Sequence, residues 1–116
     1  MAVMDSTLTG RQLEAHIFDK SANLLQQIVD TWGSRGHEAR LKDAVTRTQL
    51  LWSVFQAALT DPENPLADNI KSSVLHLSMF IDRRLYATLA DPTPDKLESI
   101  IDVHRQLAAG LRGSGP

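Results

Sequence analysis

Histidine is the residue type in this chain best suited to acid–base or metal chemistry, and the four histidines are His16, His37, His76 and His104. No two of them lie three or four residues apart, and the His-Glu-x-x-His pattern of zinc enzymes is absent from the sequence. His104 falls on the apolar stripe of a predicted helix, where a buried, hydrogen-bonded imidazole is expected. His16 and His76 are expected on helix flanks. The histidines therefore predict neither a metal site nor a catalytic pair.

Carboxylates cluster near one predicted loop, at Asp61, Glu63 and Asp68. A calcium loop alternates its oxygen ligands in an Asp-x-Asp-x-Asp-Gly pattern, which is missing here. These carboxylates are better explained as solvated acidic residues of a turn and of a helix start. The sequence also lacks cysteine, a Gly-x-Ser-x-Gly motif and a glycine-rich loop after a strand. We expect no cofactor and no enzymatic activity.

The densest basic stretch is a candidate for RNA contact. It consists of Arg35, His37, Arg40, Lys42 and Arg47. A solvated loop and helix start would produce the same pattern, and no aromatic residue is interleaved for base stacking. The net charge of −2 also argues against a general nucleic-acid binder or a polybasic membrane anchor. Direct RNA binding is therefore the second hypothesis.

Length and composition indicate one small folded domain. The chain has 116 residues, of which 42% are hydrophobic and 22% charged, as in ordinary globular proteins. The start of the chain has no basic segment followed by an apolar one, so no signal peptide is predicted. No run approaches the roughly 18 apolar residues of a membrane span. We expect a soluble cytoplasmic protein without membrane insertion.

Glycine and proline divide the chain into four helical stretches. The breaks fall at residues 32–36, 61–65 and 91–94. Asn64 is the predicted N-cap of the third helix, with Pro65 as its first residue. Thr93 and Pro94 repeat this signal before the fourth helix, which Gly110 is expected to close. We predict an all-α, compact single-domain bundle of about four antiparallel helices over residues 10–112, with a flexible segment at 1–9 and a flexible tail at 113–116.

Apolar residues recur at three- and four-residue spacing in each stretch, which predicts amphipathic helices. In the first helix the predicted core stripe is Ile17, Phe18, Ala22, Leu24, Leu25, Ile28, Val29 and Trp32. In the third helix it is Leu66, Ile70, Val74, Leu77, Ile81, Leu85 and Leu89.

Two helices carry more apolar surface than a core requires. Apolar side chains between Leu50 and Leu59 cover about 220° of the helix circumference, whereas a surface helix needs only about 100°. This surplus is compatible with a central position in the bundle, with a homodimer contact, or with an exposed groove for an amphipathic helix of a partner. For the last hypothesis, the predicted partner-binding residues are Leu50, Val54, Leu75, Met79, Tyr86 and Arg83.

An ordered set of short motifs resembles the FlaF family of bacterial flagellar biosynthesis regulators. The motifs are Arg11-Gln12-Leu13-Glu14-Ala15, Leu51-Trp52-Ser53, Asn64-Pro65-Leu66, Leu77-Ser78-Met79-Phe80-Ile81-Asp82, Ile101-Asp102-Val103-His104-Arg105 and Gly110-Leu111. They span about residues 10–111. Two features depart from the family pattern: His104 stands where asparagine is expected, and the segment before Arg11 is shorter and lacks a tyrosine.

The resemblance implies a non-enzymatic role in flagellum biogenesis. Members of the family influence flagellin production after transcription, act in the same pathway as the regulator FlbT, and behave in a way compatible with binding flagellin before export. A cytoplasmic flagellin chaperone, recognising the amphipathic terminal helices of flagellin, is therefore the leading hypothesis. A post-transcriptional regulator that acts on flagellin mRNA, directly or through a partner such as FlbT, is the alternative.

Overall fold

The four apolar stretches form four α-helices in the computed structural model, which describes residues 10–113. The helices are α1 (Gly10–Asp30), α2 (His37–Thr60), α3 (Asp68–Ala90) and α4 (Pro94–Gly113). Within residues 10–113 there is no β-strand, so the predicted all-α four-helix bundle is confirmed. Of the flexible segments predicted at residues 1–9 and 113–116, Gly113 belongs to α4, and the other residues lie outside the described residues.

The helices are arranged in a ring. Each helix packs against the next one in the chain, and α4 returns to pack against α1. The backbones of α1 and α4 make the most extensive contact, and those of α1 and α2 the least extensive. Ala15 and Ala22 on α1 and Ala108 on α4 are completely buried. Such small side chains allow helix backbones to approach closely, so α1 lies tightly on α4 and more loosely beside α2.

An aromatic cluster fills the centre of the bundle. The ring of Phe18 on α1 meets Trp52, Phe55 and His104 edge-on, with ring centroids 5.3, 5.0 and 5.3 Å away, respectively. Trp52 and Phe55 come from α2 and His104 from α4, so one side chain of α1 ties three helices together. Edge-to-face pairs of this kind add about 0.5–1.5 kcal/mol each to the stability gained by burial.

His104 is fully buried within this cluster, as its place on the apolar stripe predicts. The indole Nε1–H of Trp52 donates a hydrogen bond to Nε2 of His104 over 2.9 Å. The acceptor nitrogen cannot carry a proton, so the neutral ring has its hydrogen on Nδ1. Burial lowers the pKa of His104 from 6.5 to about 4, because the charged imidazolium would lose its hydration.

The start of α3 differs from the prediction. The helix begins at Asp68, so Asn64 and Pro65 are neither its N-cap nor its first residue. The side chain of Asn64 instead organises the loop: its Oδ1 accepts the Leu66 N–H at 3.0 Å, and its Nδ2 donates to the carbonyl of Ala58 at 3.0 Å. Leu66 is thereby buried in the core. The asparagine side chain therefore satisfies backbone hydrogen-bonding groups of a turn rather than those of a helix end.

The end of α4 also differs, because the helix continues through Gly110 to Gly113. A glycine inside a helix costs about 1 kcal/mol relative to alanine. Leu111, however, is buried in the core, and full burial of a leucine side chain contributes about 1.5–3 kcal/mol. Arg112 on the added turn contacts Asp19 of α1 at 2.5 Å. Tertiary packing therefore outweighs the helix-ending tendency of Gly110.

Four residues of the predicted core stripes are in fact exposed, namely Ile17, Leu24, Ile70 and Leu89. Ile17, Leu24 and Leu89 each lie next in sequence to a buried residue, Phe18, Leu25 and Thr88 respectively, and are therefore rotated by about 100° from the buried face. Ser78 and Thr88 occupy the buried face of α3 instead. Their hydroxyls donate to the carbonyls of Leu75 and Arg84, which makes burial of these short polar side chains tolerable.

The buried His104 should make the stability of the fold depend on pH. The unfolded chain binds a proton at this residue near pH 6.5, whereas the folded chain binds it only near pH 4. Neutral His104 therefore makes its full contribution to the free energy of unfolding above pH 6.5. As the pH falls towards 4 this free energy decreases, by roughly 3 kcal/mol in total.

His104→Gln offers a matched control, because glutamine does not titrate and its Oε1 reaches about as far from the backbone as Nε2 of the imidazole, which accepts the Trp52 N–H. We expect urea unfolding, followed by tryptophan fluorescence between pH 7 and pH 4.5, to show a clearly shallower pH dependence for His104→Gln. Identical slopes in the two proteins would contradict the assignment of this pH dependence to His104.

Candidate functional site

The residues predicted to bind a partner are mostly on the surface. The exposed fractions of Leu50, Val54, Met79 and Tyr86 are 65, 62, 54 and 70%. Arg83 is exposed as well, whereas Leu75 is half-buried and packs against the core cluster. The surplus apolar residues are therefore not consumed by contacts inside the bundle. Exposed apolar side chains grouped in this way are typical of surfaces that bind proteins.

These residues fall on two separate surfaces. Val54 lines a groove together with residues of α1. Leu75 and Met79 line a different depression, next to Leu59 and Thr60 at the end of α2. We name Leu75, Met79 and Tyr86 the α3 strip. Leu50 lies on α2 one turn before Val54 and outside both sets of lining residues. The structure thus divides the predicted site.

The groove between α1 and α2 has two parts, of which the lower is the more apolar. Its lower part, with a volume of about 90 Å³, is lined by Glu14, Ile17, Phe18, Leu51, Val54, Phe55 and Ala58. Its upper part, of about 340 Å³, is lined by Ser21, Leu24, Leu25, Gln27, Ile28, Arg40, Asp43, Ala44, Arg47 and Thr48. The two parts follow successive turns of the same two helices, and we call them together the α1–α2 groove.

Sequence reasoning missed the α1 side of this groove. Ile17 and Leu24 line the groove and are 40 and 44% exposed, although both were assigned to the core stripe. With the exposed Leu13, which lies outside the lining, they are spaced by four and seven residues and form a helical stripe beside the buried one. That stripe was a detectable signal, but the pattern cannot tell which flank of α1 a neighbouring helix covers. Because α1 packs mainly on α4, the flank facing α2 stays open.

Charges are unevenly distributed along the α1–α2 groove. Glu14 is the single ionisable residue among those that line the lower part. Partial burial raises the pKa of its carboxyl group, and the positive charge of Arg11 offsets only part of this effect. In the upper part, the Nε of Arg47 contacts Oδ2 of Asp43 at 2.7 Å. Arg40 lies at the same end.

Arg40 holds the connection between α1 and α2. Its Nη1 donates to the carbonyl of Arg35 at 2.6 Å and its Nη2 to Oγ of Ser34 at 2.5 Å. Gly33 and Gly36 in this connection have φ values of +79° and +78°, which favour glycine. Two of the three arginines of the predicted RNA patch, Arg40 and Arg47, are therefore engaged with neighbouring groups of this chain.

The side chains suited to chemistry do not converge in the described part of the chain. His104 is in the core, His37 packs on Trp32 with ring centroids 4.2 Å apart, and His16 and His76 are exposed on α1 and α3. Among residues 10–113, no group of three or more His, Asp or Glu is placed to hold a metal ion. No helix in this range is both long and apolar enough to cross a membrane. The apolar surfaces are thus the candidate functional site.

Comparison with models of known protein families gives a match. A family model described as flagellar protein FlaF matches residues 1–111. Searches of curated proteins and of solved structures return no significant match.

Leu24 and Leu25 form a matched pair that tests whether the α1–α2 groove is open. Leu25 is buried and its neighbour Leu24 is largely exposed. We expect Leu25→Ala to lower the free energy of unfolding by about 2–5 kcal/mol because it leaves a cavity. Leu24→Ala should cost less than about 1 kcal/mol. Urea titration of both variants at neutral pH provides the measurement, and equal losses would mean that α2 covers Leu24 in solution.

Proposed function

The chain belongs to the FlaF family of flagellar proteins, and we propose that it binds flagellin monomers in the cytoplasm as a secretion chaperone. In this proposal the bound flagellin helix lies in the α1–α2 groove. The fraction of chaperone bound to flagellin rises with the amount of unexported flagellin. In this way the chaperone couples flagellin synthesis to assembly. The observation that carries the proposal is the exposure of apolar side chains along this groove, Ile17 and Leu24 on α1 and Val54 on α2.

The geometry of the groove suits a helix better than an extended strand. Its lining follows α1 from Glu14 to Ile28, which corresponds to about 21 Å at 1.5 Å per residue. An amphipathic helix of about four turns would match this length and lay its apolar face between the two rims. The terminal helices that unpolymerised flagellin must keep from associating are ligands of this kind.

The size of the apolar surface is compatible with moderate affinity. Covering the exposed parts of Ile17, Leu24 and Val54 should contribute about 1 kcal/mol for each residue. A dissociation constant of 1 μM corresponds to about −8 kcal/mol, after the entropic cost of association. The apolar face of the partner must therefore bury a comparable area. The proposal thus requires a strongly amphipathic partner rather than any exposed polar helix.

The α3 strip is a second apolar surface, which lies outside the α1–α2 groove. Met79 and Tyr86 are exposed there, with Arg83 close by on the same helix. We propose this strip as the contact for a second protein, such as FlbT, or for a second copy of this chain. A thioether and a tyrosine ring adapt well to a protein surface while remaining compatible with water.

Val54→Glu and Ser53→Glu form a matched pair for testing flagellin binding. Both residues are exposed on α2 and adjacent in sequence, but only Val54 lines the α1–α2 groove. In calorimetric titrations with full-length monomeric flagellin, we expect the wild type to bind at micromolar concentrations or below. Val54→Glu should weaken binding at least tenfold because it places a charge against the partner's apolar face. Ser53→Glu should change the affinity less than twofold.

Two results would count against this assignment. Absence of binding by the wild type at tens of micromolar would contradict the chaperone proposal itself. Loss of binding in Met79→Glu and Tyr86→Glu, with Val54→Glu unaffected, would move the flagellin site to the α3 strip. A circular-dichroism melt of each variant separates lost binding from lost folding.

Contact with flagellin mRNA is the competing mechanism. Because Arg40 and Arg47 are engaged within the chain, we expect no mobility shift of a flagellin transcript at 150 mM salt. If a shift occurs, weakens steeply with salt and disappears in the double variant Arg40→Glu/Arg47→Glu, the basic stretch binds RNA. In that case translation is controlled directly rather than through bound flagellin.

A further inference from the structure

Glu14 occupies an unusual place for an acidic residue. It lines the lower part of the α1–α2 groove, and the six residues that share this lining are all apolar. Ile17 and Phe18 are its neighbours one turn along α1, and Ala58 stands among the lining residues of α2. A charged group in the wall of an apolar groove affects every ligand that enters, because the ligand removes water from it.

The carboxylate of Glu14 is already partly removed from water. Burial raises the pKa of this group more than the positive charge of Arg11 lowers it. A partner with a purely apolar surface would strip away the remaining water and leave a buried charge without a new partner, which is strongly unfavourable. A partner that brings a cationic group would replace the lost water by a short, charge-assisted hydrogen bond.

Among the residues that line the α1–α2 groove, those of the upper part carry a net charge opposite to that of Glu14, which Arg11, outside the lining, partly offsets. Asp43 compensates Arg47 there, whereas Arg40 is hydrogen-bonded to uncharged oxygen atoms of Arg35 and Ser34. The upper end therefore keeps a net positive charge. Since a helix has a positive N-terminal end and a negative C-terminal end, this asymmetry favours one direction of a bound helix, with its N-terminus near Glu14.

We infer that the α1–α2 groove selects amphipathic helices that carry a lysine or arginine at the edge of their apolar face, placed to pair with Glu14. The basic residue belongs in the N-terminal half of the bound helix. This inference rests on the proposed binding of a partner helix in the groove, and it adds the chemistry by which one helix is distinguished from another. Apolar contact supplies affinity, and the pairing with Glu14 supplies register and specificity.

Two synthetic helical peptides test this inference without relying on flagellin. They share one leucine stripe and differ at a single flanking position in the N-terminal half, which is lysine in one peptide and glutamate in the other. We expect the full-length wild-type chain to bind the lysine peptide about tenfold more tightly than the glutamate peptide, as measured by fluorescence anisotropy. Close charge pairs at protein interfaces show coupling of this size or larger.

Three variants of the chain complete the experiment. Glu14→Gln keeps the shape and removes the charge, so it should bind both peptides within about twofold of each other. Glu14→Lys should reverse the preference. Glu98→Lys introduces the same charge change at an exposed site on α4, outside the lining of the α1–α2 groove, and should keep the wild-type preference.

The outcomes separate this inference from the proposed function. Equal affinity of the two peptides for the wild type, a preference that persists in Glu14→Gln, or no binding of either peptide overturns the selection by Glu14. If flagellin binds the wild type and not Val54→Glu, the chaperone proposal stands despite such a result. If the lysine preference follows Glu14 while flagellin does not bind, the groove is selective but has a different occupant.

Discussion

Completely buried alanines, Ala15 and Ala22 on α1 and Ala108 on α4, accompany the closest helix contact of the bundle, between α1 and α4. The distance between two packed helices depends on the size of the side chains at their contact. The opposite flank of α1 carries larger residues, among them Ile17 and Leu24, and faces α2 across the loosest contact in the ring. The exposed groove between α1 and α2 follows from this unequal packing.

The aromatic cluster explains why the groove does not close. Phe18 reaches from α1 to Trp52 and Phe55 of α2 and fixes the separation of the two helices at the core. The hydrogen bond from Trp52 to His104 locks the same aromatic cluster from the side of α4. His104, a residue type suited to acid–base or metal chemistry, therefore has a structural role. It holds the aromatic cluster at the floor of the groove in place. The proposed binding site lies above that floor.

The helices themselves were predictable from the sequence because apolar spacing and glycine or proline breaks both depend on local geometry. Which flank of a helix is covered depends on the packing of its neighbours, so Ile17 and Leu24 were wrongly assigned to the core. The roles of Asn64 and Gly110 were also mispredicted. In each case a tertiary contact, the docking of Leu66 or Leu111, overrides a local capping preference. Val54, Met79 and Tyr86 were correctly singled out as surplus apolar residues, but their division between two surfaces required the structure.

The central claim is that the α1–α2 groove, rather than the α3 strip, receives a helix of flagellin. Methyl NMR of the isotope-labelled chain, recorded while unlabelled monomeric flagellin is added, tests it most directly. The account predicts that the methyl signals of Ile17, Leu24 and Val54 shift or broaden first, while those of Leu75 and Met79 stay unchanged. Changes confined to Leu75 and Met79, or no change at any of these residues, would contradict it.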